Sequence, residues 1–175
     1  MQKFSVIVID ILVKVRKAEK SDTNHLLALL EEARKYKVSL GDLAWGDYPY
    51  TESDIELRLK VGGYYVAELN NKIIGSIELI WNDQRNWGNM GEDNKAGYIH
   101  GLLIGDEYRG NDYGKQLIDW AIDKTALNGR QFVRLECSLK NKSLCSYYEK
   151  LGFKQVNLGQ PKNSITVYYQ KSIQK

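Results

Sequence analysis

The stretch of sequence that decides the fold is residues 98–122, which read YIHGLLIGDEYRGNDYGKQLIDWAI. Residues 98–104 are mostly aliphatic or aromatic, and this composition predicts a strand. From residue 117 onward, apolar side chains recur at helical spacing, which predicts an amphipathic helix. A polar loop that contains glycines joins the two. The stretch therefore predicts a strand, a loop and a helix in succession, as in α/β proteins.

The loop and the first residues of the helix have the features of an anion-binding site. Backbone N–H groups at the start of a helix have no partner within it and lie at the positive end of its dipole. Glycines let the backbone approach an anion closely, and an arginine adds positive charge. The residues assigned to this site are Arg109, Gly110, Asn111, Asp112, Tyr113, Gly114 and Lys115. Taken alone, the loop also fits an unoccupied turn, since it matches neither the P-loop nor the GxGxxG pattern.

The rest of the chain predicts the element order βααβββαβαββ. Strands are expected over residues 6–16, 64–69, 73–81, 98–104, 132–138, 153–158 and 164–170. Helices are expected over 23–37, 53–62, 114–127 and 141–151. Residues 82–95 are rich in Asn, Asp and Gly and are expected to form a polar loop. With only two prolines and no linker, residues 1–175 are expected to form a single α/β domain with a mixed sheet.

Composition narrows the function classes. The chain has 25 Lys and Arg against 22 Asp and Glu and no dense basic stripe, so we expect no nucleic-acid partner. The apolar run over residues 4–13 is too short to span a bilayer and has no cleavage site after it, so we expect no membrane partner and no signal peptide. Cys137 and Cys145 form no CxxC motif, and the two histidines are far apart. We therefore expect no metal site and a reduced, cytoplasmic protein.

Residues 98–122, together with RLEC at 134–137 and NKSLCSYYEKLGF at 141–153, resemble the GNAT N-acetyltransferase superfamily. The resemblance is close over residues 97–153, and the upstream elements fit in order. It implies a single-domain GNAT-like fold, with a mixed, mostly antiparallel sheet flanked by about four helices. It also implies acetyl-CoA as cosubstrate, with the CoA pyrophosphate on the loop at 109–114.

Asp112 is the main departure from the family pattern, Gln/Arg-x-x-Gly-x-Gly/Ala. Arg109 and Gly114 match the two ends of the pattern, but Asp112 stands where glycine is usual. Aspartate tolerates the left-handed backbone better than most residues do. A carboxylate near a pyrophosphate is nevertheless repulsive, so we expect Asp112 to turn outward or to cap the helix.

The resemblance implies further roles in binding the donor. The backbone of Leu102, Leu103 and Ile104 would pair with the pantetheine arm, which would enter a gap between this strand and the one at 132–138. Asn141 would hydrogen-bond the same arm. Tyr148 would lie near the CoA sulfur and protonate the leaving thiolate. Its neighbour Tyr147 is expected to face elsewhere.

The general base stays open between His100, Glu136 and a water chain. The resemblance places both side chains where some family members carry a base. Strand alternation predicts that His100, Leu102 and Ile104 share one face, and that Cys137 points away from Glu136. Histidine is well matched to proton transfer near neutral pH.

The acceptor site would be built by the first two helices, the loop between them and the central hairpin. Its aromatic candidates are Trp45, Tyr48, Tyr50, Trp81 and Trp87, and its acidic candidates are Asp42, Asp47, Glu52 and Asp83. Aromatic and acidic side chains together suit a cationic amine, although ordinary packing explains them equally well. The sequence thus predicts an N-acetyltransferase that acts on a primary amine of a small molecule or peptide. The alternative is a catalytically silent acyl-CoA-binding sensor. A homodimer is possible through the strands at either end of the chain.

Overall fold

The structure, a computed structural model, describes residues 13–43, 45–46, 48–156 and 166–173, and its centre is a seven-stranded sheet. The strands are β1 (Lys14–Lys17), β2 (Tyr64–Leu69), β3 (Lys72–Ile80), β4 (Ala96–Ile104), β5 (Phe132–Ser138), β6 (Lys154–Val156) and β7 (Thr166–Ser172). Their order across the sheet is β1-β2-β3-β4-β5-β7-β6. Only the β4–β5 pair is parallel in this sheet, so the predicted mixed, mostly antiparallel α/β fold is confirmed.

Five α-helices accompany the sheet in the described ranges. They are α1 (Thr23–Ser39), α2 (Glu52–Val61), α3 (Gln84–Trp87), α4 (Tyr113–Leu127) and α5 (Lys142–Lys150). The first strand is seen from Lys14 onward, and residues 6–12, 157–158 and 164–165 of the predicted strands lie outside the described residues. Among the helices that the structure describes, none combines the length and apolarity needed to cross a lipid bilayer.

Helix α3 is the element that the sequence did not predict, because residues 82–95 were expected to be loop. The Asp83 side chain accepts hydrogen bonds from the backbone N–H of Asn86 at 3.3 Å and from its side-chain amide at 3.0 Å. These bonds close one turn of helix, since a capping carboxylate satisfies N–H groups that the helix itself leaves unpaired. A 3-10 turn, Gly88–Gly91, follows.

Two expected helix caps also differ from the structure, although α1 begins at Thr23 as predicted. Ser53 lies inside α2, which begins with a reciprocal capping pair between Thr51 and Asp54. The Asp22 side chain, which was expected to cap α1, makes no capping hydrogen bond there. The Arg16 guanidinium holds it instead, at 2.7 Å and 2.8 Å.

The two faces of the sheet are covered by different helices. Helices α4 and α5 pack on one face, where the buried side chains include Ile77, Ile99, Leu117, Ile118 and Tyr148. Helices α1 and α2 pack on the other, where they include Leu26, Leu30, Ile55, Val66 and Leu103. Each fully buried Leu or Ile stabilises the fold by about 1.5–3 kcal/mol. The core therefore lies in two layers, with the sheet between them.

A bulge in β4 corrects the expectation that His100, Leu102 and Ile104 share a face. Ser76 pairs with Leu103 while Glu78 pairs with His100, so β4 has one more residue than β3 in this interval. Gly101 takes up the extra residue with a φ of 52°. Because paired residues point to the same side, His100 and Leu103 share one face, whereas Leu102 and Ile104 lie on the other. Simple alternation fails here because a bulge shifts it by one residue.

Strands β4 and β5 pair over only part of their length. Their register runs from Ala96 opposite Phe132 to Ile99 opposite Leu135 and then stops. Beyond that point β4 continues to pair with β3, and β5 with β7. The two strands therefore separate towards their carboxyl ends, which is the gap predicted between them.

Candidate active site

A cavity of about 780 Å³ fills the gap between the separating strands. It is lined by His100 and Leu102 of β4, Glu136 of β5 and Tyr148 of α5. A second cavity, of about 570 Å³, lies at the loop before α4 and shares Leu102 with the first. The structure thus brings the predicted catalytic residues to one cavity, and the predicted loop to the cavity beside it.

The loop presents backbone donors at the start of α4. The first hydrogen bond of the helix runs from Gln116 N–H to the Asp112 carbonyl at 3.0 Å. The N–H groups of Tyr113, Gly114 and Lys115 therefore have no acceptor within the helix. Asp112 has a left-handed backbone with a φ of 58°, a conformation that aspartate tolerates better than most residues. Its side chain is exposed and makes no capping hydrogen bond, so the capping alternative is wrong, and the residue lines the cavity at the loop.

Arg109 is held by protein groups rather than left open for an anion. Its guanidinium forms an ion pair with Asp106 and lies 3.7 Å from Glu32. It also donates to the Ile104 carbonyl at 3.2 Å and stacks 5.2 Å from the centre of the Tyr36 ring. These contacts join the loop to α1, so backbone N–H groups are the donors best placed for an anion.

The other polar side chains of the loop also have local partners. The Asn111 amide donates to the carbonyls of Tyr108 and Arg109, at 3.2 Å and 3.3 Å. Lys115 forms an ion pair of 2.5 Å with Asp119 on the surface of α4. The Asn111 side chain therefore stabilises the loop itself. The Lys115 ammonium is held by Asp119, one turn farther along α4, rather than at the loop.

Helix α5 contributes to both cavities. Asn141 caps it by accepting the Leu144 N–H at 3.1 Å, and lines the cavity at the loop. Tyr147 lines that same cavity, and its hydroxyl is 3.2 Å from the place where a β-carbon on Gly114 would lie. Tyr147 thus faces away from the cavity of Tyr148, as predicted. Sequence reasoning nevertheless missed that Tyr147 lies beside the anion-binding loop.

Tyr148 is buried among aromatic rings at the gap between the strands. The ring centres of Phe153 and Tyr169 lie 5.8 Å and 6.0 Å away. Burial raises the pKa of Tyr148 far above that of an exposed phenol, so the hydroxyl stays protonated. Cys137 also lies on this face, with its Sγ 3.7 Å from that of Cys145, and so points away from Glu136 as expected.

His100 lies between two carboxylates. Its Nδ1 is 3.2 Å from Glu136 Oε1, and its Nε2 is 3.0 Å from Asp83 Oδ2. The Nε2 contact is an ion pair without good hydrogen-bond alignment, since this buried nitrogen has no aligned partner among the described residues. Burial lowers the pKa of His100, but the carboxylates of Asp83 and Glu136 outweigh it and raise the pKa to about 9. The imidazole is therefore a cation at neutral pH.

The same three residues have the donor types of a metal site. One donor atom from each of Asp83, His100 and Glu136 lies within 4.8 Å of the others. A metal ion would use a single nitrogen of the imidazole. Here, however, each ring nitrogen faces a different carboxylate, which is the arrangement of an imidazolium bridging two anions. The arrangement fits a proton better than a metal, and the absence of a metal stays a prediction.

The predicted acceptor residues fall into two groups. Trp45 and Tyr50 line an outer cavity of about 530 Å³ together with Asp83 and His100. The structure does not bring Trp81 or Tyr48 to the cavities. Trp81 follows β3 and packs on the α4 side of the sheet, where the Arg130 guanidinium lies 5.2 Å from the centre of its ring, and Tyr48 is 81% exposed.

The remaining candidates have other positions. Trp87 is buried beneath Glu136, Asp42 is buried in a 2.5 Å ion pair with Lys37, and Glu52 is exposed in the first turn of α2. Asp47 lies outside the described residues. The sequence did not single out Arg58 and Arg85, which line the outer cavity and the cavity between the strands.

Comparison with known proteins places this geometry in a family. The sequence profile of the Acetyltransferase (GNAT) family matches residues 26–153. An uncharacterized N-acetyltransferase of Methanocaldococcus jannaschii is 30% identical over 93 residues, which are 53% of this chain and 39% of that protein. The chain therefore spans well under half of this relative.

Two solved structures share the fold. A GNAT-family acetyltransferase of Streptococcus agalactiae superposes with a TM-score of 0.79 at 17% identity, over 93% of this chain and 96% of that one. An acetyltransferase of Salmonella typhimurium, solved with its cofactor acetyl-CoA, gives a TM-score of 0.68 at 14% identity, over 93% and 95% of the two chains. The family profile extends from within α1 to beyond α5, and it includes both the loop at 109–114 and the cluster of His100 and Glu136. This chain belongs to the Acetyltransferase (GNAT) family.

Proposed function

We propose that the protein is an acetyl-CoA-dependent N-acetyltransferase that moves the acetyl group to a primary amine of a small molecule or peptide by direct attack on the thioester. The observation that carries the proposal is the separation of β4 from β5 beyond Ile99 and Leu135. It opens a cavity that adjoins the loop at 109–114 and contains His100, Glu136 and Tyr148.

The residues around the two cavities fit the donor. Acetyl-CoA supplies the acetyl group as an activated thioester. The N–H groups of Tyr113, Gly114 and Lys115 suit its pyrophosphate, because they lie unpaired at a helix start. Residues 102–104 of β4 have a strand partner only on their β3 side in the described sheet, so their free edge suits the amides of the pantetheine arm. The Asn141 amide and the Tyr147 hydroxyl line the same cavity.

The cluster around His100 would receive the acceptor. One imidazolium between the carboxylates of Asp83 and Glu136 leaves a net negative charge, which attracts an ammonium group. An amine must lose a proton before it attacks, and neutral His100 accepts that proton in our proposal. With a pKa of about 9, about one imidazole in a hundred is neutral at pH 7. The rate is therefore expected to rise with pH over the neutral range.

Tyr148 would act on the leaving group. As the amine nitrogen bonds to the acetyl carbon and the carbon–sulfur bond breaks, the sulfur gains negative charge. The buried phenol of Tyr148 is protonated and can donate its proton to that sulfur, and the proton that the new amide nitrogen then loses restores the phenol. Tyr148→Phe is expected to lower kcat about a hundredfold or more with little change in the KM for acetyl-CoA. Tyr147→Phe, on the neighbouring cavity, should instead change that KM.

The test is a CoA-release assay over a panel of primary amines between pH 7 and 9.5, with acetyl-CoA binding measured separately by calorimetry. Turnover with an amine supports the enzyme. Binding of acetyl-CoA with no turnover of any amine would support the silent sensor instead, and absence of binding would refute both. The pH profile also tests the base. Loss of its acidic limb in His100→Gln supports His100, whereas loss only in Glu136→Gln transfers the role to Glu136.

A further inference from the structure

We infer that the acceptor amine carries a carboxylate or phosphate group, and that Arg85 binds that group. The inference rests on the proposed function and names the class of substrate that the same cavity would take. It starts from the charges around the cavity between β4 and β5. Besides the His100 imidazolium, four cations line this cavity, namely Lys37, Arg58, Arg85 and Lys140. Among its described lining residues, Glu136 supplies the single carboxylate.

Three of the four cations already have partners in the protein. Lys37 pairs with Asp42 at 2.5 Å, Arg58 pairs with Glu78, and Lys140 donates to the Gly41 carbonyl at 2.6 Å. Arg85 has no ion pair and no hydrogen bond within the part of the chain that the structure describes, and it is exposed at the edge of the cavity. It is therefore the cation that is free to bind a ligand.

The position of Arg85 is fixed by the same residue that contacts His100. Asp83 caps α3 through Asn86 with one oxygen, and its other oxygen lies 3.0 Å from His100 Nε2. Arg85 lies two residues farther along this short helix. Arg85 lines both the cavity between β4 and β5 and the outer cavity, and His100 lines both as well. A ligand whose amine lies at Glu136 can therefore place an acidic group at Arg85.

The chemistry of arginine favours this occupant. The guanidinium is a planar fork that binds a carboxylate or a phosphate through two parallel hydrogen bonds. An acceptor with only positive charge would leave the Arg85 guanidinium without a partner, whereas an acidic group on the acceptor would pair with it. Asp42 is paired with Lys37, whereas the cluster of Asp83, His100 and Glu136 keeps one net negative charge for the amine itself.

The experiment compares acceptors that share an amine and differ in one acidic group. The pairs are phosphoethanolamine with ethanolamine, β-alanine with β-alaninamide, and glycyl-aspartate with glycyl-asparagine. For each member we would measure kcat/KM and, so that the comparison does not depend on turnover, the dissociation constant for the CoA-loaded enzyme. The acidic member should be favoured about tenfold or more, the size expected for a charge-assisted hydrogen bond. A larger preference within the phosphoethanolamine pair would indicate that the acidic group is a phosphate, and a larger preference within the other two pairs would indicate a carboxylate.

Variants assign the preference to Arg85. Arg85→Gln should bring the ratio between acidic and neutral members close to one, and Arg85→Lys should retain part of it as a point charge. Lys72→Gln removes the same unit of charge from the exposed start of β3, outside the three cavities, and should leave the ratio unchanged.

The outcomes distinguish a failure of the inference about Arg85 from a failure of the proposed acetyltransferase activity. Turnover of neutral amines with no preference for acidic members, or a preference that survives in Arg85→Gln, overturns the inference and leaves the acetyltransferase standing. Acetyl-CoA binding without turnover or binding of any acceptor overturns both.

Discussion

The indole N–H of Trp87 donates a hydrogen bond of 3.1 Å to Glu136 Oε2. The other oxygen of the same carboxylate lies 3.2 Å from His100 Nδ1. Trp87 is buried, and its ring packs against Tyr98 and Tyr168 with centres 5.8 Å and 5.2 Å away. A fixed indole therefore holds one side of the carboxylate whose other side meets the imidazole, which makes Trp87 a positioning residue for the site.

Trp87→Phe should lower kcat about tenfold, because it removes the donor to Glu136 and lets the carboxylate turn away from His100. The smaller ring should also reduce the free energy of unfolding by about 1–2 kcal/mol. A purely structural role would reduce stability but leave the pH profile of kcat/KM in place, whereas a positioning role shifts its acidic limb. Trp120→Phe, on α4 against Tyr65, is the matched control and should leave the profile unchanged.

The pKa of His100 can be measured directly, because the chain has two histidines, His25 and His100. An NMR titration should give His100 a pKa of about 9. Asp83→Asn and Glu136→Gln should each lower it towards the ordinary value, since each removes one carboxylate that stabilises the imidazolium. His25→Gln assigns the two signals. A pKa that neither substitution moves would show that the two carboxylates do not act on the imidazole.

The same ion pairs make stability depend on pH. The pKa of His100 rises from 6.5 to about 9 on folding, so the folded state binds the proton more tightly than the unfolded state does. The stabilisation is fully present below pH 6.5 and is lost as pH rises through 9, and it amounts to about 3 kcal/mol. Urea unfolding should show this loss in the wild type and a much smaller one in His100→Gln. Parallel curves for the two proteins would contradict the prediction.

Substitution of Asp112 tests how negative charge at the loop affects the binding of acetyl-CoA. Asp112→Asn keeps a residue that tolerates the left-handed backbone and removes one negative charge beside the N–H groups of α4. The KM for acetyl-CoA should fall a few-fold at low salt, and the gain should shrink at high salt because of screening. Asp123→Asn, exposed farther along α4, is the control for charge alone. Equal KM values for Asp112→Asn and the wild type at low salt would show that the carboxylate does not oppose binding.

The sequence was most informative where neighbouring residues decide the structure. The strand, loop and helix of residues 98–122 follow from local periodicity, and the left-handed Asp112 follows from its place in the loop. Such local patterns do not predict contacts between segments that are distant in the sequence. Asp83 meets His100, and Trp87 meets Glu136, only because α3 forms and its Trp87 packs against Tyr98 of β4 and Tyr168 of β7. Arg109 was expected to add charge to the anion site, but Asp106 and Glu32 engage it. The bulge at Gly101 was missed because no alternation pattern marks one extra residue.

The role of that bulge in the site can be tested by comparing Gly101 with Gly129, a glycine that has a similar backbone conformation and does not line the cavities. Gly101 has a φ of 52°, and a β-carbon there would lie 3.1 Å from Glu78 Oε1 and 3.7 Å from Arg58 Nη1. Gly129 has a φ of 70° and no atom within 4 Å of such a carbon. Gly129→Ala should reduce the free energy of unfolding by about 1–2 kcal/mol through backbone strain alone and leave kcat/KM unchanged. Gly101→Ala should reduce stability by at least as much and also lower kcat/KM. The reason is that the bulge places His100 and Leu103 on the same face, directly beyond the last residue that pairs with β5. Wild-type kcat/KM in Gly101→Ala would show that the site does not depend on the geometry of the bulge.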